Sequence, residues 1–155
     1  MKKSIRSLLW VAAIMPALLV GCSKNYNAPA NSNTSVDTTL KIQIVSGTWI
    51  ISSYTQRTED KTSQFAGVVF TFSDNGILTA DKNGDITDGT WIYTPSAVGY
   101  YGGPPSKASM TLDLGPTSPF NRLTKTWNVA SNTATLIKMD NPEPMDDEHV
   151  QFMKQ

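Results

Sequence analysis

Beyond residue 47 the chain is a succession of short alternating runs of apolar and polar residues, punctuated by turn dipeptides. Residues 68–73 place Val68, Phe70 and Phe72 on one face, the period-two signature of a half-buried strand. Asp74-Asn75-Gly76 follows, and residues 77–80 return. Asn-Gly accepts positive φ at both central positions of a two-residue turn, and that backbone matches the twist of paired strands. A second such signal, Lys82-Asn83-Gly84-Asp85, leads into residues 86–94. Residues 48–54 are rich in β-branched and aromatic side chains. Residues 108–114 alternate again, with Met110, Leu112 and Leu114 on one side. Residues 123–129 carry Trp127 and Val129, Ser131-Asn132 reads as a tight turn, and residues 133–139 form the next run. Residues 148–154 close the series with Val150 and Phe152 facing one way. Eight strands at even spacing predict an all-β domain, an eight-stranded antiparallel up-and-down barrel. A β-sandwich has the same strand count. Closure removes the edges that invite aggregation, and this favours the barrel. Residues 37–45 read either as a helix capped by Asp37 or as an extension of the first strand.

The start of the chain follows another pattern. Lys2, Lys3 and Arg6 precede an apolar run over residues 8–20, which is short of the ~20 residues a spanning helix needs. Leu19-Val20-Gly21-Cys22 resembles the lipobox of bacterial lipoproteins. That resemblance implies a signal peptide over residues 1–21, cleavage before Cys22, and a diacylglycerol on its thiol. Each buried methylene contributes about 0.8 kcal/mol, so several acyl chains make a lasting membrane anchor. Ser23 in the next position implies, by the same resemblance, the outer membrane. No acidic run follows Cys22, which points to the periplasmic face. Cys22 is the single cysteine, so there is no intrachain disulfide and no cysteine-based zinc site, and the fold holds by packing alone. Residues 22–36 are polar and poor in large apolar groups, and read as a flexible tether. Residues 37–155 suffice for one domain with a core of its own.

Charge excludes some partners. Of the 13 Lys and Arg, Lys2, Lys3 and Arg6 lie in the leader, whereas all 13 Asp and Glu follow it. The chain beyond Cys22 is therefore mildly acidic and has no basic stripe. Nucleic-acid binding needs clustered Lys and Arg, and electrostatic adhesion to anionic lipid needs the same. Catalysis is not expected either. The single histidine, His149, sits in an acidic segment, and no basic cluster activates Cys22. Asp81, Asp85 and Asp88 around the Asn83-Gly84 turn fail the EF-hand spacing and read as hairpin residues. Asp140, Glu143, Asp146, Asp147, Glu148 and His149 read as a solvated acidic loop. Neither a metal nor a cofactor is expected.

Gly47-Thr48-Trp49 at the first strand, Phe70-Thr71-Phe72-Ser73-Asp74-Asn75-Gly76 at the next hairpin, Gly89-Thr90-Trp91, Trp127-Asn128-Val129 and Thr135-Leu136-Ile137 together resemble the lipocalin-like lipoproteins of Bacteroidetes-type bacteria. The resemblance implies that Trp49 plugs the closed end of the barrel. The Thr-Asp-Tyr motif of classical lipocalins is missing, and so is a late-strand Arg over Trp49. Classical ligand chemistry is therefore not carried over. Phe70, Phe72, Trp91, Tyr93, Met110 and Trp127 are the candidate ligand-binding residues, because aromatic and aliphatic lining is what a small-molecule cavity requires. With Leu112, Met139 and Phe152 they also have the bulk to fill the interior. Two functions follow as expectations. One is non-catalytic binding of a small apolar or amphipathic ligand inside the barrel. The other is an accessory or inhibitory envelope lipoprotein that binds another protein through its loops. Strand parity puts residues 56–67, 115–122 and 141–147 at the end away from the tether, where they would frame a mouth. Residues 95–106, with Tyr100 and Tyr101 among glycines, lie at the tether end, as a partner contact or folded over the barrel bottom.

Overall fold

The computed structural model describes residues 33–99 and 103–155. The expected signal peptide, Cys22, the expected tether as far as residue 32, and the loop residues Tyr100, Tyr101 and Gly102 lie outside the described residues. A helix, α1 (Asn33–Ile44), leads into strands β1 (Thr48–Gln56), β2 (Glu59–Asp60), β3 (Val68–Phe72), β4 (Ile77–Lys82), β5 (Asp85–Thr94), β6 (Ser109–Asp113), β7 (Lys125–Asn132), β8 (Leu136–Asp140) and β9 (Glu148–Lys154). Each long strand pairs antiparallel with its neighbour in sequence, and β9 returns to β1, from Trp49 opposite Lys154 to Gln56 opposite Glu148. That seam closes an eight-stranded antiparallel up-and-down barrel and decides against the sandwich. The short strand β2 is an addition. It folds back on β1, with Gln56 opposite Glu59, through a turn that holds Arg57 at φ 55°.

The hairpin chemistry explains the register. Asn83 and Gly84 both adopt positive φ, 58° and 90°, and the Gly84 amide donates to Asp81 Oδ1 at 2.7 Å. Asp81 is thus a turn residue. Asp88 accepts from Thr79 Oγ1 across the β4–β5 pair. Gly89 serves a different need, since a Cβ there would lie 2.0 Å from the Asp113 carbonyl oxygen. The β5 backbone passes the end of β6 too closely for any side chain. Two details depart from the sequence reading. Ser131 and Asn132 belong to β7, paired with Lys138 and Ile137, and the turn falls on residues 133–135. A bulge at Ala130 accounts for the shift, because one extra residue carries the strand further before it turns. Of the two readings of residues 37–45 the helix holds, ending at Ile44, but it starts at Asn33, inside the span 22–36 read as tether.

That helix covers one end of the barrel. Leu40 and Ile44, one turn apart on the same face, are fully buried. The Trp49 indole N–H donates to the Ile44 carbonyl at 2.8 Å, Asn132 donates to Gln43, and Lys41 pairs with Asp74. The sequence of α1 is poor in strong helix formers, so these contacts, more than propensity, hold it helical. Lys154 supplies what the sequence reading did not find. Its ammonium lies 5.9 Å from the Trp49 ring and donates to Ser46 Oγ, covering the indole from β9. Trp91, in the second Gly-Thr-Trp run, is held in the same manner, its indole donating to the Ser73 carbonyl at 2.9 Å.

Replacing Trp49 with Phe removes the indole donor while keeping most of the ring. We expect a loss of about 1–3 kcal/mol in unfolding free energy. Hydrogen exchange should quicken first at the amides of α1. Uniform quickening across all strands would show that the indole does not hold the helix.

Candidate functional site

The interior is occupied by rings. Phe70 meets Phe152 edge-on at 5.3 Å, Phe72 meets Phe152 at 5.7 Å and Trp91 at 5.6 Å. Of the six candidate ligand-binding residues, Phe70, Phe72, Met110 and Trp127 are no more than 1 % exposed and Trp91 is buried beside them. Tyr93 is partly buried against the same cluster. The structure therefore brings these residues together, as one packed core with Leu112, Met139, Val150 and Phe152. The far end, where residues 56–67, 115–122 and 141–147 gather, is not an open mouth. Phe65, from a 3-10 turn at Thr62–Phe65, packs edge-on against Tyr54, and Phe120 packs against Phe70.

A polar cluster sits among these plugs. A bulge at Ser52 shifts the parity of β1, so that Tyr54 points inward after Trp49 and Ile51. Its hydroxyl donates to Glu148 Oε1 at 2.8 Å. Glu148 is 3 % exposed, and its other oxygen accepts from Asn141 at 2.7 Å and from the Lys125 ammonium. Burial alone would raise this carboxyl. Hydrogen bonds from Lys125, Tyr54 and Asn141 outweigh it and hold Glu148 below the ordinary carboxylate range. Burial and the Glu148 carboxylate push the Tyr54 hydroxyl well above the usual phenol range, so it remains a donor. Glu148 is thus no member of a solvated acidic loop. The signal was present in the sequence: it shares the parity of Val150 and Phe152, and Lys125 shares that of Trp127 and Val129.

Beside this cluster Gln56 Oε1 accepts from Lys61 Nζ at 2.5 Å and from Arg122 Nη1 at 3.3 Å. On the outer side, His149 Nδ1 lies 2.7 Å from Asp140 and Nε2 3.1 Å from Asp147. Each ring nitrogen faces a carboxylate, so the doubly protonated ring satisfies both. The Asp140 contact, with help from Asp147 and against partial burial, raises the His149 pKa. Among the described residues no group of His, Cys, Asp and Glu is arranged to hold a metal ion. No helix among them is long and apolar enough to cross a membrane.

No family model and no curated protein sequence matches the chain. A solved structure does: a DUF4847 family protein from Bacteroides vulgatus, 16% identical, aligned over 75% of this chain and 99% of that one with a TM-score of 0.50. At that identity the likeness concerns the fold alone.

Two pH effects of opposite sign follow. The depressed Glu148 pKa contributes stability above the unfolded value near 4.5, lost as pH falls through the folded value. Glu148→Gln should cost about 1–3 kcal/mol at pH 7 and flatten the acid limb of a denaturation profile. An unchanged acid limb would place the effect elsewhere. The raised His149 pKa contributes stability below the unfolded value near 6.5, lost as pH rises through the folded value. The His149→Gln variant should match the parent above that range and fall behind below it. NMR titration of the imidazole gives the midpoint directly, and a value at or below 6.5 would refute the stabilising role of the Asp140 and Asp147 contacts.

Proposed function

We propose that this protein is an envelope lipoprotein with a lipocalin-like barrel, anchored through Cys22 to the outer membrane on its periplasmic face, which binds another protein through the loops at the end opposite α1. The observation that carries this reading is the filled interior: Phe70, Phe72, Trp127 and Phe152 touch one another or their neighbours directly and are essentially inaccessible. A ligand carrier needs space between such rings. Here an apolar guest would have to displace several of them, losing their edge-on contacts. What the barrel presents instead is a rigid frame for three long connections, and function placed on loops over a rigid scaffold is the common arrangement.

The anchor rests on the lipobox resemblance and the single cysteine. The lipocalin-like assignment rests on the motif order together with Trp49 at the covered end of a closed barrel. The chain enters the described domain through α1, which covers that end, so the loops around residues 56–67, 115–122 and 141–147 face away from the entry point. The reading is non-catalytic, and it assigns Tyr54, Lys125 and Glu148, which bond to one another, to holding the fold.

Native mass spectrometry of the full chain, released gently from membranes in detergent, should give the lipidated apo mass. A small molecule carried through purification and released on denaturation would overturn the filled-barrel reading in favour of an apolar ligand inside. In the same preparation Cys22→Ser should leave the membrane fraction, and its retention there would remove the anchor from the proposal.

A further inference from the structure

Gln56 is the point of departure. Two cations, Lys61 and Arg122, donate to its one side-chain oxygen, at 2.5 Å and 3.3 Å. A neutral amide oxygen is a modest acceptor, and hydrogen bonds to an ionised acceptor are about twice as strong. Lys61 has one carboxylate, Glu59 at 3.1 Å, which is itself largely exposed. No ion pair is formed by Arg122 among the described residues, and its guanidinium faces the neutral Gln56 amide and the Tyr54 hydroxyl. The neighbouring carboxylates are engaged elsewhere. Glu148 is held by Tyr54, Asn141 and Lys125, and Asp60 accepts from the Thr62 amide at 2.8 Å. Arg57, next to Gln56, also ends on a neutral oxygen, the Met145 carbonyl. Gln56, Lys61 and Arg122 are all partly accessible to solvent.

We propose that the corner formed by Gln56, Lys61 and Arg122 is a carboxylate-binding subsite, which receives an acidic side chain of the partner protein. The guanidinium presents paired donors that fit a carboxylate, and the ammonium adds a point charge. The carboxylate takes over the donors that now share Gln56 Oε1. The corner is not embedded in a basic field, because Glu59, Asp60 and Glu148 are near. Recognition therefore comes from directed donors at short range, which discriminates a carboxylate from an amide of the same shape. This deepens the reading of the loop end as a protein-binding surface and rests on it.

The test uses the full chain in neutral detergent at low salt, with amide chemical shifts of Gln56, Lys61 and Arg122 as the readout. A capped Gly-Glu-Gly peptide should move them saturably, and capped Gly-Gln-Gly should not. Arg122→Gln should weaken the Gly-Glu-Gly response about tenfold or more. Gln56→Glu places a carboxylate where the two cations already converge. It should abolish the response and raise the thermal midpoint by a few degrees. Equal responses to the two peptides, an undiminished response in Arg122→Gln, or a lowered midpoint in Gln56→Glu would overturn the subsite. Sodium acetate bound as tightly as the peptide would overturn its assignment to a protein side chain. None of these readouts needs the native partner or a view of the barrel interior, so their failure is distinct from failure of the protein-binding reading.

Discussion

Everything in this molecule hangs on the seam between β1 and β9. The first and last strands pair from Trp49 opposite Lys154 to Gln56 opposite Glu148, and without that ladder two unpaired edges would remain. The seam also places the two residues that finish the ends of the barrel. Lys154 at one end of β9 covers Trp49, which holds α1 in place. Glu148 at the other end draws together Tyr54, Asn141 and Lys125, and so ties β1, β7 and the loop before β9 into one unit. A single strand thereby secures both caps.

The packing follows from closure. Eight strands enclose an interior just wide enough for side chains to fill. The inward positions carry Phe70, Phe72, Met110, Leu112, Trp127, Met139 and Phe152, and this bulk meets the enclosed volume with edge-on ring contacts. A chain with a single cysteine has no covalent staple for its fold. The dense core and the satisfied buried polar groups, with no unpartnered buried side-chain atom among the described residues, take that part.

Much of this was legible in the sequence because strands announce themselves through period-two alternation and turn dipeptides. Val68-Val69-Phe70-Thr71-Phe72 had one physical reading, and the structure follows it. The hairpin after it also forms, but only Gly76 takes positive φ, 85°, and the turn runs over residues 74–76 instead of the two residues Asn75-Gly76. The polar cluster was obscured by two effects. The bulge at Ser52 breaks the alternation, so counting by twos from Trp49 sends Tyr54 to the wrong face. Glu148 lies in an acidic stretch, and charge density is a poor guide when one carboxylate among several turns inward. Its parity with Val150 was the better signal. The helix was ambiguous because residues such as Ile42, Ile44 and Val45 suit a strand as well, and only the Trp49 bond and the burial of Leu40 and Ile44 settle the matter. Lys154 was not legible because the family resemblance points to a guanidinium over Trp49, and an ammonium also lies over an indole.

The return of β9 to β1 has a consequence in time. A ribosome delivers β1 roughly a hundred residues before the strand that completes it, so the nascent chain has no finished barrel until its final strand emerges. Pairings made at long sequence separation form slowly, and until then β1 offers one unsatisfied edge to whatever binds exposed strands. A chain built this way stays loose throughout its synthesis and sets only at the end.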